Sequence, residues 1–207
     1  MKSKSASRTH HPHLKLTLAS SSPRRAEILR NAGFTFEVRA THIDESPLPR
    51  ESARAHVQRL ATAKARAAAE HAQHKKPAAI VIGADTVVVA QGRILGKPHD
   101  ANDARRMLRL LSGKIHKVLT GVSILRLPDG KELHRVETTR VRFRRLSAMD
   151  IEDYIATGEP FDKAGAYGIQ GLAGRFVHSI DGCYFNVMGL PLSRVWSMLR
   201  RLGYPSR

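Results

Sequence analysis

Cysteine is almost missing from this chain of 207 residues: Cys183 stands alone. No disulfide can therefore close within it, and the composition suits a reducing compartment. Aromatic residues are scarce at 5%, and acidic residues are outnumbered, 18 Asp and Glu against 35 Lys and Arg. No apolar run approaches the roughly 18 residues that a membrane span needs. The first residues carry Lys2, Lys4 and Arg8 but no apolar h-region, which speaks against a secretory signal. These absences together lead to the expectation of a cytoplasmic protein with no membrane partner.

What the chain has is apolar content of 42%, enough for a globular core rather than a disordered chain. Its length fits one domain, or one domain with two lobes around a cleft. The formal net charge of +17 attracts polyanions: nucleic acid, anionic lipid or small phosphorylated substrates. Scattered solvated charge with no partner accounts for it equally well, so charge alone does not choose among them.

Residues 1–13 (MKSKSASRTHHPH) are polar, basic and aperiodic and read as a disordered leader, with residues 14–207 as a single domain. His10, His11 and His13 lack the supporting partners a metal site needs. Beyond the leader, Leu14 to Ala19 alternates with period two, as a strand does. Ser22-Pro23 then opens a helix ending near Gly33. Phe34 to Arg39 reads as a strand and Ser52 to about Ala72 as an alanine-rich helix. Ala78 to Ala90 is an apolar strand that Gly83-Ala84-Asp85-Thr86 interrupts, and Gln91-Gly92 turns into a short strand at Arg93 to Leu95. Asp100, with Asp103 three residues on, caps a helix to Leu111. Val118 to Leu127 and Glu132 to Phe143 form a hairpin across Pro-Asp-Gly. Ser147 and Asp150 cap a further helix, and Phe176 to Ile180 with Cys183 to Met188 read as a second hairpin. Pro191 opens a last helix through Leu202. Helices and strands that alternate early, then hairpins, predict an α/β fold with a mixed twisted sheet flanked by helices.

Four stretches carry chemistry. Ser20-Ser21-Ser22-Pro23-Arg24-Arg25 sets hydroxyls, the free N–H groups of a helix start and two guanidinium groups at the carboxyl end of a strand, a phosphate cradle. An ordinary capped helix with two exposed arginines is the plainer alternative. Asp85 lies within the most apolar strand, where a carboxylate must be paired, metal-bound or at an accessible position. It suits a Mg²⁺ ligand or a general base, or a structural Asp held by backbone amides. Thr86 beside it orients substrate or only packs. Gly96-Lys97-Pro98 offers a point charge for phosphate but lacks the glycine spacing of a P-loop. The fourth, Gly158 to Gly174, holds five of the fifteen glycines, and an entropically costly loop of that kind usually has a task. In it Gln170 has the donor and acceptor to read a base edge, and Tyr167 stacks on a base or packs as core. Asp44-Glu45 completes a metal site with Asp85 or sits solvated in a turn, and Lys64 faces cleft or solvent.

In order and spacing, LASSSPRRAEIL, DESPLP, GADTVVV, LGKP, LSGKIHKVLTGV, TGEPFDKAGAYGIQG and NVMGLPL resemble the Maf family of nucleoside triphosphate pyrophosphatases, from about Leu16 to about Leu202. The resemblance implies a Maf/ITPase-like fold with two lobes around a central cleft. It also implies hydrolysis between the α and β phosphates with a divalent metal cation, Mg²⁺ or Mn²⁺. By position it makes Asp85 the proton acceptor and Ser20, Arg25, Lys64 and Lys97 phosphate contacts. Glu45 falls near the metal with Asp85, and Arg24, Thr86 and Gln170 fall where base preference is set. The YGIQG form is similar to the dTTP/UTP-cleaving subgroup, and a glutamine amide matches the O4/N3–H edge of uracil or thymine but not cytosine. Ala63 stands where many relatives carry Glu before the lysine, which removes one partner for Lys64. Two rivals stay open at this point: a pyrophosphatase for non-standard purine triphosphates, and a basic nucleic-acid-binding or division-regulating module. The latter leaves Asp85 and the glycine-rich loop unexplained. Oligomeric state is not legible, a homodimer being one option.

Overall fold

The computed structural model describes residues 14–70 and 79–205. The leader with its three histidines, the expected helix beyond Glu70, and Ala78 lie outside the described residues. The elements in chain order are β1 (Lys15–Ala19), α1 (Pro23–Asn31), β2 (Glu37–Val38), α2 (Ala53–Glu70), β3 (Ala79–Ala90), β4 (Arg93–Leu95), α3 (Ala101–Leu111), β5 (Ile115–Leu127), β6 (Glu132–Phe143), α4 (Ala148–Ala156), β7 (Val177–Asp181), α5 (Tyr184–Val187) and α6 (Leu192–Arg201).

The described strands form one mixed, seven-stranded sheet in the order β2-β1-β3-β5-β6-β7, with β4 paired to β3. β1 runs parallel to β2 and β3, and every other pairing is antiparallel. Two of the three capping signals act as their sequence suggests, whereas Ser22 makes no side-chain cap. Asp100 accepts the Asp103 N–H at 2.7 Å, and Ser147 and Asp150 close a reciprocal capping box.

Three expectations need correction. Phe34 to Arg39 contributes only a two-residue strand, Glu37–Val38, because Phe34 and Phe36 turn to pack against the core beside α6. Gly83 to Thr86 does not interrupt β3: the strand runs unbroken through it, paired residue by residue with β5. Cys183 to Met188 is no strand but a turn of helix, α5, so the second hairpin is absent. β7 is the outer strand of the described sheet, but the segment crosses β6 and β5 instead of lining that edge, with Asn186 Nδ2 bonded to the Val118 carbonyl and Thr139 Oγ1.

Two glycines decide how close α2 lies to the sheet. A side chain on Gly83 would run into the Ala61 carbonyl, and one on Gly121 into that of Val57. The alanines Ala61, Ala65, Ala68 and Ala69 of α2 are buried in return, so small residues meet on both sides and the backbones approach. One apolar cluster joins α3, α4 and the far end of β3 around Leu108, Phe143, Tyr154 and Phe176. Another joins β1, α1 and α6 around Leu18, Ile28, Ile82 and Leu199. β3 and β5 feed both, so two lobes share one sheet.

Candidate active site

The cleft between the lobes follows from the strand register. β1 ends where Ala19 pairs with Gly83, and β4 begins pairing only at Val88. Between them Ala84 to Val87 have β5 on one side and no strand on the other. A cavity of about 1230 Å³ opens there, and its walls include Ser20, Arg24, Arg25, Glu45, Lys64, Asp85, Thr86, Lys97 and Gln170. These nine residues, all singled out from the sequence, thus reach one cavity.

Successive residues of a strand point to opposite faces, and Asp85 and Thr86 divide the site accordingly. On the α2 side, Asp85 Oδ1 accepts from Lys64 Nζ at 2.7 Å. Glu45 Oε1 lies 2.7 Å from the same ammonium. Lys64 and Asp85 are each only 7% exposed, so neither charge is tolerable without the other. Glu45 is partly desolvated, which acts to raise its pKa, but the hydrogen bond and charge of Lys64, with Lys97 and Arg25 beyond, hold it below the usual value. Lys64 therefore faces the cleft, and the loss of a Glu at position 63 is made good from β3 and the 44–46 turn. Asp44 takes the other reading: its Oδ1 accepts the Ser46 N–H in a local turn.

On the other side, Arg25 is 8% exposed and held on three sides. It donates from Nε to the Gly189 carbonyl at 2.8 Å, from Nη1 to Ser20 Oγ at 2.9 Å and from Nη2 to Thr86 Oγ1 at 3.0 Å. Burial draws its pKa down, and the charge of Asp85 opposes that. α1 begins at Pro23 with no side-chain cap from Ser22, so the first N–H groups of the helix stay free at the cavity wall. Lys97 is exposed in the cleft with no hydrogen-bond partner among the described residues. Its loop is tied to the glycine-rich stretch by the Gly165 N–H to the Gly96 carbonyl, 2.9 Å. Arg24 reaches across to that stretch, donating to Asp162 Oδ2 at 2.8 Å and to the Asp162 carbonyl at 3.1 Å.

Within the glycine-rich stretch, Gln170 is exposed at the cavity wall, whereas Tyr167 is core. Tyr167 packs edge-on to Phe143 and its hydroxyl meets His116 Nε2 at 2.8 Å. Glu159 staples the stretch, accepting from the Tyr154 hydroxyl and from the Leu172 N–H. Sequence reasoning missed the residues that hold Arg24 and Arg25, namely Asp162, Gly189 and, behind Thr86, Thr120. All three lie in the quoted motifs, where nothing but their spacing marked them.

The family model for Maf-like proteins matches residues 15–202, the span that builds this cleft. The chain belongs to the Maf family. Among its Maf relatives, the dTTP/UTP pyrophosphatase of Geobacillus sp. (strain WCH70) is 55% identical over 189 residues, 91% of this chain and 98% of its own. Those of Koribacter versatilis (51% identical; 91% and 94% covered) and Anaeromyxobacter sp. (strain Fw109-5) (50%; 92% and 91%) carry the same name. Among solved structures, the Staphylococcus aureus Ham1 protein is a distant likeness, 12% identical over 91% of this chain and 99% of its own, with a TM-score of 0.45. No helix among the described residues is long and apolar enough to cross a membrane.

Proposed function

We propose that this Maf protein hydrolyses dTTP and UTP in the cytoplasm, giving the nucleoside monophosphate and pyrophosphate. One observation carries the reading: a buried carboxylate, a lysine bridging it to a second carboxylate, and three further cations share a single cleft with an exposed glutamine. Relatives at 50–55% identity named for that activity support the choice of substrate.

In this reading Arg25, Lys64 and Lys97 neutralise the triphosphate, and the Ser20 hydroxyl and the N–H groups at the start of α1 add donors without a charge of their own. Asp85 takes the proton of the water that attacks the α-phosphorus in line. The P–O bond to the β-phosphate breaks and pyrophosphate leaves. Arg24 and Gln170 face the base side, where the Gln170 amide donates to O4 and accepts from N3–H of uracil or thymine.

The residues present fit a divalent cation. Asp85 and Glu45 both reach the one position that Lys64 Nζ takes, two hard oxygen donors of the kind that hold Mg²⁺ together with substrate phosphates. No cluster of three or more such side chains exists among the described residues, so the remaining donors would be phosphate oxygens and water. When bound, Mg²⁺ or Mn²⁺ supplies charge neutralisation and activation of water.

The test is pyrophosphate release across the eight common nucleotides and inosine triphosphate, with and without metal. dTTP and UTP should be cleaved at least about 10-fold faster than CTP, whose edge needs the Gln170 amide turned over. EDTA should abolish turnover and Mg²⁺ or Mn²⁺ restore it. Preference for inosine triphosphate would move the protein to purine house-cleaning.

A further inference from the structure

The hydroxyl of Thr86 has polar neighbours on three sides and the cleft on a fourth, with a single proton to place. Arg25 Nη2, at 3.0 Å, can only donate. Thr120 Oγ1 lies at 3.0 Å on the other side. The Gly189 carbonyl, at 3.5 Å, is too far for a bond of consequence and already accepts Arg25 Nε. The substrate cleft is the fourth. Thr120, fully buried, donates its own proton to the Asn186 carbonyl at 3.1 Å. A hydroxyl has one proton, so with that of Thr120 on the Asn186 carbonyl, which also takes the Gly189 N–H, Thr120 accepts from Thr86 and Thr86 accepts from Arg25. The chain runs one way: Arg25 to Thr86 to Thr120 to the Asn186 backbone.

Its far end is anchored. Asn186 is fully buried, and its Nδ2 donates to the Val118 carbonyl and to Thr139 Oγ1, both at 3.0 Å. The opposite polarity holds at Ser20, whose Oγ accepts from both Arg25 Nη1 and the Ser22 N–H. Its lone pairs are occupied, and no acceptor among the described residues takes its proton.

We propose that Thr120 is a positioning residue for the reaction, aiming the Arg25 guanidinium through Thr86, and that Thr86 has no proton for substrate whereas Ser20 has. The inference rests on the reading of the cleft as a triphosphate site. Arg25 has five N–H donors and spends three inside the protein, which leaves one on each terminal nitrogen for phosphate oxygens. Without Thr120 as acceptor, the Thr86 hydroxyl is free to rotate and no longer holds a lone pair towards Arg25 Nη2.

Steady-state kinetics on dTTP and UTP decide the matter, with Thr120→Val as the near-isosteric variant lacking the hydroxyl and Thr120→Ser as the conservative one. Thr120→Val should lose roughly 10- to 100-fold in kcat/KM by the same factor for both nucleotides, the scale of a misaimed catalytic group. Thr120→Ser should recover most of it. In an Arg25→Lys background, Thr120→Val should cost little more, since the fork it positions is gone. Full kinetics in a folded Thr120→Val, or additive losses in the double variant, would overturn the inference and leave the pyrophosphatase reading intact. Should Thr120→Val not fold, Thr120→Ala takes its place, and additive losses for Thr120→Ala and Arg25→Lys would overturn it in the same way. A wild-type protein that releases no pyrophosphate would remove both.

Discussion

Asp85 shows how far one residue can be argued from its neighbours in the chain. An acidic group inside GADTVVV, among the most apolar residues present, had to have a partner, and Lys64 and the open cleft provide it. Replacing Asp85 by Asn keeps an acceptor for Lys64 but removes the base. Turnover should fall about 100-fold or more and the unfolding midpoint should drop too, since Lys64 keeps only Glu45 as a charged partner, and full turnover in the folded variant would take Asp85 out of the chemistry. A second residue sets a pH dependence of stability. Burial lowers the pKa of His116 from 6.5 to about 4, so the unfolded chain binds a proton below pH 6.5 that the native state refuses until near pH 4. The stability from a neutral His116 is complete above 6.5 and is lost as the pH falls through that window, roughly 2 kcal/mol of it between pH 7 and 5. Urea unfolding of His116→Phe should show a flatter dependence across this range, and equal slopes in both proteins would refute the assignment. Glu51 acts lower down. Its bonds from Arg59, from His56 and from the Leu48 N–H hold its pKa far below the usual carboxylate value, so its contribution is present above about pH 4.3 and fades only beneath that.

Among the elements, β3 and α2 matter most, and both were half legible. Their existence followed from an apolar run and an alanine-rich stretch. Their mutual approach did not, because it depends on Gly83 and Gly121, which meet α2 from two different strands. GADT resembled a break for the same reason: glycine in a strand marks either a bend or a close backbone approach, and only the packed helix distinguishes them. Gly121→Ala should cost about 3 kcal/mol, since its methyl would strike backbone rather than a flexible side chain. Lys64 would move with α2, so kcat should fall along with the urea midpoint. A variant of wild-type stability would show that α2 can lift off without penalty. The helical turn α5 was not legible because Cys183 to Met188 has strand-like composition, whereas the bonds that fold it, from Asn186 to Val118 and Thr139, reach distant strands.

At the scale of the molecule, β3 and β5 pass through both apolar clusters, so neither lobe can lose its core without stripping strands from the other. The protein should therefore unfold in one step. Trp196, the single tryptophan, packs edge-on to Phe34 at one end of the molecule. Its fluorescence should follow the same urea curve as far-ultraviolet circular dichroism, and an earlier fluorescence transition would mean separable lobes. The net charge of +17 is a property of this scale too, yet the cations that matter are few and local, Arg24, Arg25, Lys64 and Lys97 at one cavity. What the sequence determined by itself was local: the caps, the strand and helix periods, and the residue types suited to phosphate, base and proton, because each depends on neighbours a few positions away. Tertiary structure alone decided which of them meet. Lys64 stands between two carboxylates from distant segments, Arg24 grips Asp162, Tyr167 is core and Thr86 belongs to Arg25, because contacts between residues tens of positions apart depend on register and close packing, which no local pattern encodes.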